Sequence, residues 1–551
     1  MTHAPATDVV PASPGGRSDR PDRFGMTGTK PLLLVTLRQD VRNIAPWVML
    51  ISVLSASSIL AYAWIFPDAS DREQLAVGLG GNPALSLLFG PARDLMTADG
   101  FNAWRAGQLG VFFAGLMAIL IVVRNSRANE DSGQAELIAS GVVARRARLA
   151  VAILMATIAS LALGVVCFLI TIACGGGITA TLILAATFAA SGLMFTGVAA
   201  VAAQLGSDAR TASTIAIAAL GVCYVVRGYI DSSGAADWAT WLTPLGWLEE
   251  TRPATDHRPW PLLAALALAG VLVVVAFALQ SRRDFGQGMI APRPGPEHAG
   301  LAGNVWGLAL KANRAALIAW LAAFAGLGLI FGNLASSIGG VIADNPAMAQ
   351  VLASGAVDPS QLTFAFLVTI LQIIAIIAAV MGVQVVLRVY SEETDYRVEP
   401  LLAGSLRRTV YLASNVLLAL VGTALALVFA GITLGLVASA KDDTVSFGRV
   451  IEQALATIPA VWVLVALGVA AVGARPAIRV IAWLGIVATF GLTILGPTFK
   501  LWDWALDISP LRHVPNVTAP TPDWAGLAWL GGVVVVLLVV GFVGYRRRNI
   551  V

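Results

Sequence analysis

The sequence predicts an all-α polytopic membrane protein with twelve transmembrane helices, arranged as two parallel six-helix repeats. Of its 551 residues, 57% are hydrophobic and 12% are charged, a balance unlike that of soluble globular proteins. Uncharged apolar stretches of about 20 residues recur along the chain, and this is the length that a helix needs to cross the hydrocarbon core. Short sequence matches also relate the first half of the chain to the second.

Each apolar stretch predicts one spanning helix, and continuous apolarity excludes the alternating strands of a β-barrel. The stretches of the first half are 45–65, 108–123, 149–173, 178–204, 211–229 and 261–279. Those of the second half are 315–335, 362–387, 410–438, 454–474, 478–498 and 525–545. The chain is thereby divided into a disordered cytoplasmic tail 1–27, a first half 28–280, a cytoplasmic linker 281–303 and a second half 304–551.

The distribution of basic residues predicts that both chain termini are cytoplasmic. Lys and Arg are enriched in cytoplasmic loops of membrane proteins. Most of the 36 Lys and Arg residues fall on one predicted side, whereas the loop 334–361 on the other side has none. Topology therefore explains the net charge of +4, and we expect no nucleic-acid partner.

Three pairs of segments indicate an internal duplication. The matching segments are 35–47 with 308–320, 130–146 with 392–408, and 238–248 with 504–514. Each pair occupies corresponding positions in the two sets of six spans, and the pairs keep their order. Because six spans return the chain to its starting side, the second copy has the same orientation as the first.

The loop after the second span of each half is the most informative segment. Acidic residues lead it, small apolar residues follow, and arginines close it. Acids favour a helix N-terminus and glycine can end a helix, so the pattern predicts a short surface helix that docks another protein. A solvated loop without a partner is the alternative for either copy alone. The residues are Glu130, Asp131, Glu136, Gly141 and Arg145 in the first copy, and Glu392, Glu393, Glu399, Gly404 and Arg408 in the second.

This loop resembles the coupling-helix region of ABC-2 type permeases, where a run like E-E-x-G-x-x-E-x-L-L-x-x-P-V-x-R follows the second membrane helix. It departs from that run at the proline, which is replaced by Val142 or Val143 in one copy and by Ser405 or Leu406 in the other. The sequences at 243–245 (TPL) and 509–511 (SPL) look like the [ST]-P-[LF] element before the last span in that family. The duplicated chain resembles actinobacterial tetronasin-type polyketide and multidrug ABC exporter permeases.

The resemblance implies the permease subunit of an ATP-driven exporter in a bacterial plasma membrane. Such a subunit moves hydrophobic or amphipathic compounds by alternating access and binds two copies of a separate ATPase, which carry ATP and magnesium. This chain agrees in having no G-x-x-x-x-G-K-[ST] phosphate loop. We therefore expect neither catalysis nor a cofactor or metal in the chain itself, since its four histidines are also scattered.

The main alternative is a proton-coupled secondary multidrug antiporter with twelve spans. Antiporters need ionisable side chains within the membrane, and no Asp or Glu lies deep in a predicted span. Arg227 is the charge nearest the hydrocarbon, and we expect it to extend to the interface beside Asp231. A membrane scaffold or a lipid-handling enzyme is a third interpretation, for which the sequence has no positive signal.

Aromatic residues in the spans suit an apolar cargo, although many aromatic residues in membrane helices face lipid or neighbouring helices instead. Gly328 and Gly332 form a G-x-x-x-G pattern, which predicts close helix packing. The candidates for the substrate pathway are Trp47, Phe112, Phe113, Trp320, Phe364 and Phe366.

Overall fold

The computed structural model describes most of the chain, and all of the secondary structure in the described residues is helical. Twelve of its helices are long and apolar enough to cross a membrane, which confirms the predicted fold class. The described ranges are 26–80, 83–134, 143–233, 235–283, 287–290, 297–343, 359–443, 445–495, 502–519 and 522–548. The predicted tail 1–27 therefore lies almost wholly outside the described residues.

The spanning helices are numbered α1 to α12 in chain order. The first six are α1 (Thr29–Ile65), α2 (Ala98–Val123), α3 (Arg145–Ala173), α4 (Ile178–Leu205), α5 (Ala209–Ser232) and α6 (Pro261–Arg282). The second six are α7 (Val305–Ala343), α8 (Pro359–Thr394), α9 (Arg408–Lys441), α10 (Phe447–Ala474), α11 (Val480–Phe490) and α12 (Ala525–Arg547).

Shorter helical segments connect or extend the spanning helices. One π-helical turn, Arg124–Ala128, continues α2, and another, Gly491–Leu495, continues α11. The short α-helices are Ala69–Gly80, Pro83–Phe89, Asn129–Asp131, Pro244–Glu249, Glu399–Leu402 and Asp503–Leu506. The 3₁₀ segments are Asp237–Leu242, Gly300–Gly303, Pro476–Ile478 and Pro510–His513.

Several helices are longer than their apolar stretches. Helix α1 begins at Thr29, well before the predicted start at 45, and α8 continues to Thr394, beyond the predicted end at 387. Hydropathy detects only the part of a helix that matches the hydrocarbon core. Arg and Lys are good helix formers, so a helix can continue into the polar region with its backbone hydrogen bonds intact.

The chain divides into two compact units, with the main boundary between Arg293 and Pro294. Each unit contains six spanning helices, and the same pairs of helices pack in both. In each unit, the first helix packs on the second and third, and the second helix packs on the third, fourth and fifth. The fourth helix packs on the third, fifth and sixth, and the sixth helix also contacts the third. This shared scheme is what a duplicated six-helix repeat requires.

Glycines allow two of these helix pairs to approach closely. A Cβ on Gly473 of α10 would lie 2.1 Å from the carbonyl oxygen of Gly541 on α12. A Cβ on Gly328 of α7 would lie 2.4 Å from the carbonyl oxygen of Ala430 on α9. The predicted packing role of Gly328 is confirmed, and the close α10–α12 contact fixes the position of the end of α12.

Candidate functional site

The loop after α8 follows a defined path at one end of the second unit. Helix α8 ends at Thr394, and the chain turns through Tyr396, which has a positive φ of 58°. Val398 is buried and holds the turn against the helices, and the short helix Glu399–Leu402 follows it. Tyr396 is 62% exposed, as a side chain at the tip of the turn. We call the end of each unit that carries this loop the loop end.

The acidic pair at the start of this loop faces inward. Glu393 is 3% exposed, and its Oε1 accepts a hydrogen bond of 2.7 Å from Nη2 of Arg548. Glu392 accepts bonds from Nε of Arg388 at 2.8 Å and from the hydroxyl of Tyr411 at 2.7 Å. Charge-assisted hydrogen bonds of this length are strong. Both acids therefore hold the loop to helices of the same unit.

Arg548 connects three elements at this point. It is the residue that follows the last residue of α12, and its guanidinium lies 4.8 Å from the ring centroid of Tyr545. Its carbonyl oxygen accepts a 3.0 Å bond from Nη1 of Arg408 at the start of α9. The end of α12, the start of α9 and the loop after α8 are thus joined through one side chain and its backbone.

The first unit contains an equivalent arrangement around Glu130. Its Oε1 lies 2.8 Å from Nη2 of Arg283, and its Oε2 lies 2.8 Å from Nη1 of Arg127. Arg127 is fully buried and also donates to the carbonyl oxygen of Ala203 near the end of α4. Arg283 donates through Nε to Oε1 of Gln204.

The two arrangements correspond in position as well as in chemistry. In each unit, an acid just beyond or at the end of the second helix binds an arginine that directly follows the sixth helix: Glu130 with Arg283, and Glu393 with Arg548. We call these two contacts the loop ion pairs. They link the loop to the last spanning helix in both units.

A second contact recurs between the first and second helices. Asp40 of α1 binds Arg124 at 2.7 Å and Nδ2 of Asn125 at 2.8 Å. In the second unit, Asn313 of α7 accepts a 3.0 Å bond from Nη1 of Arg388. Asp40 and Asn313 are paired when segment 35–47 is aligned with 308–320. The structural contact therefore agrees with the sequence match.

The remaining predicted loop residues fall into four groups. Asp131 is exposed, and its carboxylate accepts a 2.7 Å bond from the backbone N–H of Ala209, at the start of α5. Glu399, Gly404 and Arg408 are exposed on the second unit. Arg145 begins α3. Glu136 and Gly141 lie outside the described residues.

The arginine partners of the acids were not identified as site residues from the sequence. In the sequence, Arg283 and Arg548 are two of the 36 Lys and Arg residues that predict the topology. Each lies about 150 residues from its acid along the chain, so spacing alone does not reveal the contact. The available signal was positional, because an arginine follows the sixth span in both copies.

A cavity of about 1040 Å³ lies at the loop end of the first unit. Its wall combines the start of α1, the end of α2 and the start of α3 with residues at the ends of α4 and α6. Glu130 and Arg283 are part of this wall. The loop ion pair of the first unit is therefore also a surface of the cavity.

The six aromatic candidates for the substrate pathway do not line this cavity. Phe112 packs edge-on against Phe113 and Tyr224, with ring centroids 5.6 Å and 5.1 Å apart. Phe364 is buried in the core of the second unit. The other three, Trp47, Trp320 and Phe366, are partly buried against the core of their own unit.

The opposite end of the first unit carries a buried charge cluster. Arg227 does not extend outward as expected; its side chain is fully buried and binds Asp231 at 2.9 Å. Glu249 lies 3.7 Å from Arg227 and 3.2 Å from Arg93. Burial, followed by the adjacent Asp231, raises the pKa of Glu249 to about 8. The raised pKa favours the protonated form of Glu249.

The [ST]-P-[LF] elements have a local structural role in both units. The hydroxyl of Thr243 accepts a 3.0 Å bond from the N–H of Gly246, so it caps the helix Pro244–Glu249. Pro510 likewise begins the short 3₁₀ segment that follows Ser509. Proline is favoured in the first turn of a helix, where no N–H partner is needed.

Comparison with known proteins gives two matches. The family model "Multidrug efflux system permease Rv1217c, C-terminal domain" matches residues 56–279 and 303–546. The multidrug efflux system permease protein Rv1217c of Mycobacterium tuberculosis (strain ATCC 25618 / H37Rv) is 35% identical over 554 residues, which cover 99% of this chain and 99% of that protein. The two matched segments of the family model include both loops and all the spanning helices except most of α1 and the last residues of α6 and α12.

Proposed function

The chain belongs to the family of multidrug efflux system permeases represented by Rv1217c, and from this premise we propose that it is the membrane-spanning subunit of an ATP-driven exporter. Its cargo is a hydrophobic or amphipathic compound, and a separately encoded ATPase, bound in two copies, supplies the energy. ATP and magnesium belong to that partner. Its place is the bacterial plasma membrane.

The two loop ion pairs are the observation that supports this proposal. A loop that docks an ATPase can drive transport only if its movement reaches the spanning helices. Glu130–Arg283 and Glu393–Arg548 give that connection in both units, because each joins the loop to the residue after the sixth helix. Buried pairs of this kind resist separation, since an unpaired buried charge is costly.

The docking surface that we propose on the second unit is the exposed part of its loop: Asp395, Tyr396, Arg397, Glu399 and Gly404. The Tyr396 side chain is presented by a backbone conformation that non-glycine residues rarely adopt. Such conformations are often retained at functional sites. The exposed residues therefore dock the ATPase, and the buried acids transmit its movement to the spanning helices.

The topology that we propose places the loop ends of both units, and both termini, in the cytoplasm. Arg124, Arg148, Arg283, Arg388 and Arg548 lie at these ends, which agrees with the enrichment of arginine on the cytoplasmic side. ATP binding and hydrolysis by the docked pair would then alternate cargo access between the cytoplasm and the outside.

The rival function, a proton-coupled antiporter, has one observation in its favour. Glu249 is a buried carboxyl group with a raised pKa, as proton carriers often are. It lies, however, between Arg227 and Arg93 at the end opposite to the loops. We therefore interpret it as part of a structural charge cluster.

The test begins with purification of the chain and its associated proteins in mild detergent. We expect a stoichiometric ATPase whose turnover changes with amphipathic drugs. Transport by the complex in liposomes should need ATP and no proton gradient. Proton-driven drug flux by the chain alone would instead establish the antiporter.

The loop ion pair is tested in the same complex with Glu393→Gln. This substitution removes the charge that binds Arg548 but keeps the side-chain shape, and we expect the ATPase to bind normally while drug-dependent turnover is lost. Asp507→Asn is the matched control, because Asp507 also binds an arginine of the second unit, Arg512, but lies outside the loop and 53% of its side chain is exposed. Equal drug-dependent turnover in both variants would argue against transmission through Glu393.

A further inference from the structure

We propose that the cavity at the loop end of the first unit binds the cargo, and that the cargo is an amphiphile with hydrogen-bonding groups and no positive charge. This inference rests on the proposed function only where it calls the bound molecule the cargo. The binding site itself is argued from the size, wall chemistry and charge of the cavity.

The size of the cavity suits a natural-product or drug-sized molecule. Its volume is about 1040 Å³, at the upper end of the range of about 300–1,000 Å³ that is usual for small-molecule pockets. Residues of α1, α2, α3 and the ends of α4 and α6 all contribute to its wall. A ligand there contacts most of the helices of the unit at once.

One side of the cavity is apolar. Leu32 and Val35 of α1 face it, together with Leu149 and Val151 of α3. Val35 is 54% exposed although it is a large aliphatic residue. An apolar ligand surface placed against this side would cover it and gain about 25 cal/mol per Å² removed from water.

Amide side chains also contribute to the cavity wall. Amide side chains both donate and accept hydrogen bonds, so they suit a neutral ligand with hydroxyl and carbonyl groups. Gln39 of α1 and Asn129 and Gln134 of the loop after α2 are at least partly exposed and can contact a ligand. Asn125 and Gln204 also line the cavity, but they are buried and hydrogen-bonded within the protein.

The charges in the wall do not favour a cation. Two acids line the cavity, and both bind arginines: Asp40 binds Arg124, and Glu130 binds Arg283. Arg148 also lines it, so basic residues outnumber acidic ones. Drug sites for cations need an acid or an aromatic face directed at the ligand. This wall offers amides and arginine-bound acids instead.

The test measures ligand binding to the purified full-length chain in lipid nanodiscs, without ATP or ATPase. The neutral macrolide tacrolimus is the probe, tetraphenylphosphonium is the cationic probe, and novobiocin is the acidic probe. We expect saturable binding of tacrolimus, with or without binding of novobiocin, and no competition by tetraphenylphosphonium. Preferential binding of tetraphenylphosphonium would overturn the assignment of cargo class.

Val35→Trp places a bulky side chain in the cavity from an exposed position, so folding is retained. We expect it to weaken tacrolimus binding about tenfold, which corresponds to about 1.4 kcal/mol. Leu34→Trp is the matched control, since Leu34 is the adjacent residue, is 50% exposed and does not line the cavity. Unchanged binding to V35W, or an equal loss in L34W, would overturn the location of the site.

Gln39→Leu tests the amide side chains of the cavity wall. Gln39 is one helical turn from Val35 on the same face of α1, and it is exposed. We expect Q39L to weaken tacrolimus binding about threefold to tenfold, as the loss of one hydrogen bond does. Unchanged binding would contradict the role of the amides. Because these assays use the chain alone, tacrolimus binding supports the site independently of the energy source; the absence of a co-purifying ATPase would refute the proposed energy source and leave the site standing.

Discussion

The loop ion pairs of the two units join the same elements but distribute charge differently. Glu130 of the first unit is held by two arginines, Arg127 and Arg283. Glu393 of the second unit is held by Arg548, while its neighbour Glu392 has its own arginine, Arg388. Among the described residues, the first acid thus has two arginine partners and the second has one. Two repeats with the same helix connections can therefore differ in how far the loop contact of each depends on a single arginine.

The largest effect that we expect is from Arg548→Ala. It leaves Glu393 buried and unpaired, so the free energy of unfolding in mixed detergent micelles should fall by about 3 kcal/mol. Arg547→Ala, which removes an exposed arginine next to it, is the control and should have little effect. A similar loss in both variants would show that the ion pair is not what stabilises this end.

A smaller effect is expected from Arg283→Ala, because Glu130 keeps its contact with Arg127. We expect a loss of about 1–2 kcal/mol in the same unfolding assay, since one buried charge pair remains. The double variant Arg127→Ala with Arg283→Ala should lose more than the sum of the single losses. If R283A lowers the free energy of unfolding as much as R548A does, the two units do not differ in how strongly their stability depends on this arginine.

The ends opposite to the loops carry different clusters of charged residues. Glu249 of the first unit has its pKa raised from 4.5 to about 8 by burial and by Asp231, while Arg512 of the second unit binds exposed acids. A raised acid pKa contributes stability that is complete below its ordinary value and is lost as the pH rises toward 8. We therefore expect stability to fall from about pH 5 to about pH 8.

Glu249→Gln removes that titration. The variant should show a flatter profile of melting temperature against pH than the natural chain over this range, because glutamine stays neutral. Asp231, Arg227 and Arg93, which also face Glu249, are unchanged in this variant. A profile as steep as that of the natural chain would assign the pH response to another group.

The smallest change in stability is expected from Tyr396→Gly. Glycine adopts the positive φ of this position without the steric cost that tyrosine bears, but it is more flexible in the unfolded chain, so the net change should be below about 1 kcal/mol. Association with the ATPase should nevertheless weaken, because the exposed ring is lost from the docking surface. Normal association, measured by co-purification, would remove Tyr396 from that surface.

The sequence predicted the number of helices and the position of the loops because both depend on local signals. Apolar length identifies a spanning helix, and the acids, glycine and arginines of 392–408 mark the loop. The start of α1 at Thr29 was missed because Arg38, Asp40 and Arg42 interrupt the apolar pattern without interrupting the helix.

The direction in which the acids face could not be predicted. A sequence shows that Glu393 is charged, but its partner Arg548 lies 155 residues away along the chain. The roles of the loop residues in docking an ATPase remain predictions, including those of Glu136 and Gly141, which lie outside the described residues. The pathway roles of the six aromatic residues also remain predictions.

Glu130 and Arg283 belong both to the loop ion pair and to the wall of the cavity. If the cavity binds cargo and the loop binds the ATPase, the same ion pair belongs to both binding regions. Thermodynamic linkage is reciprocal: any factor by which the ATPase strengthens cargo binding is the factor by which cargo strengthens ATPase binding. A loaded first unit would then recruit its own energy source, and an empty one would release it.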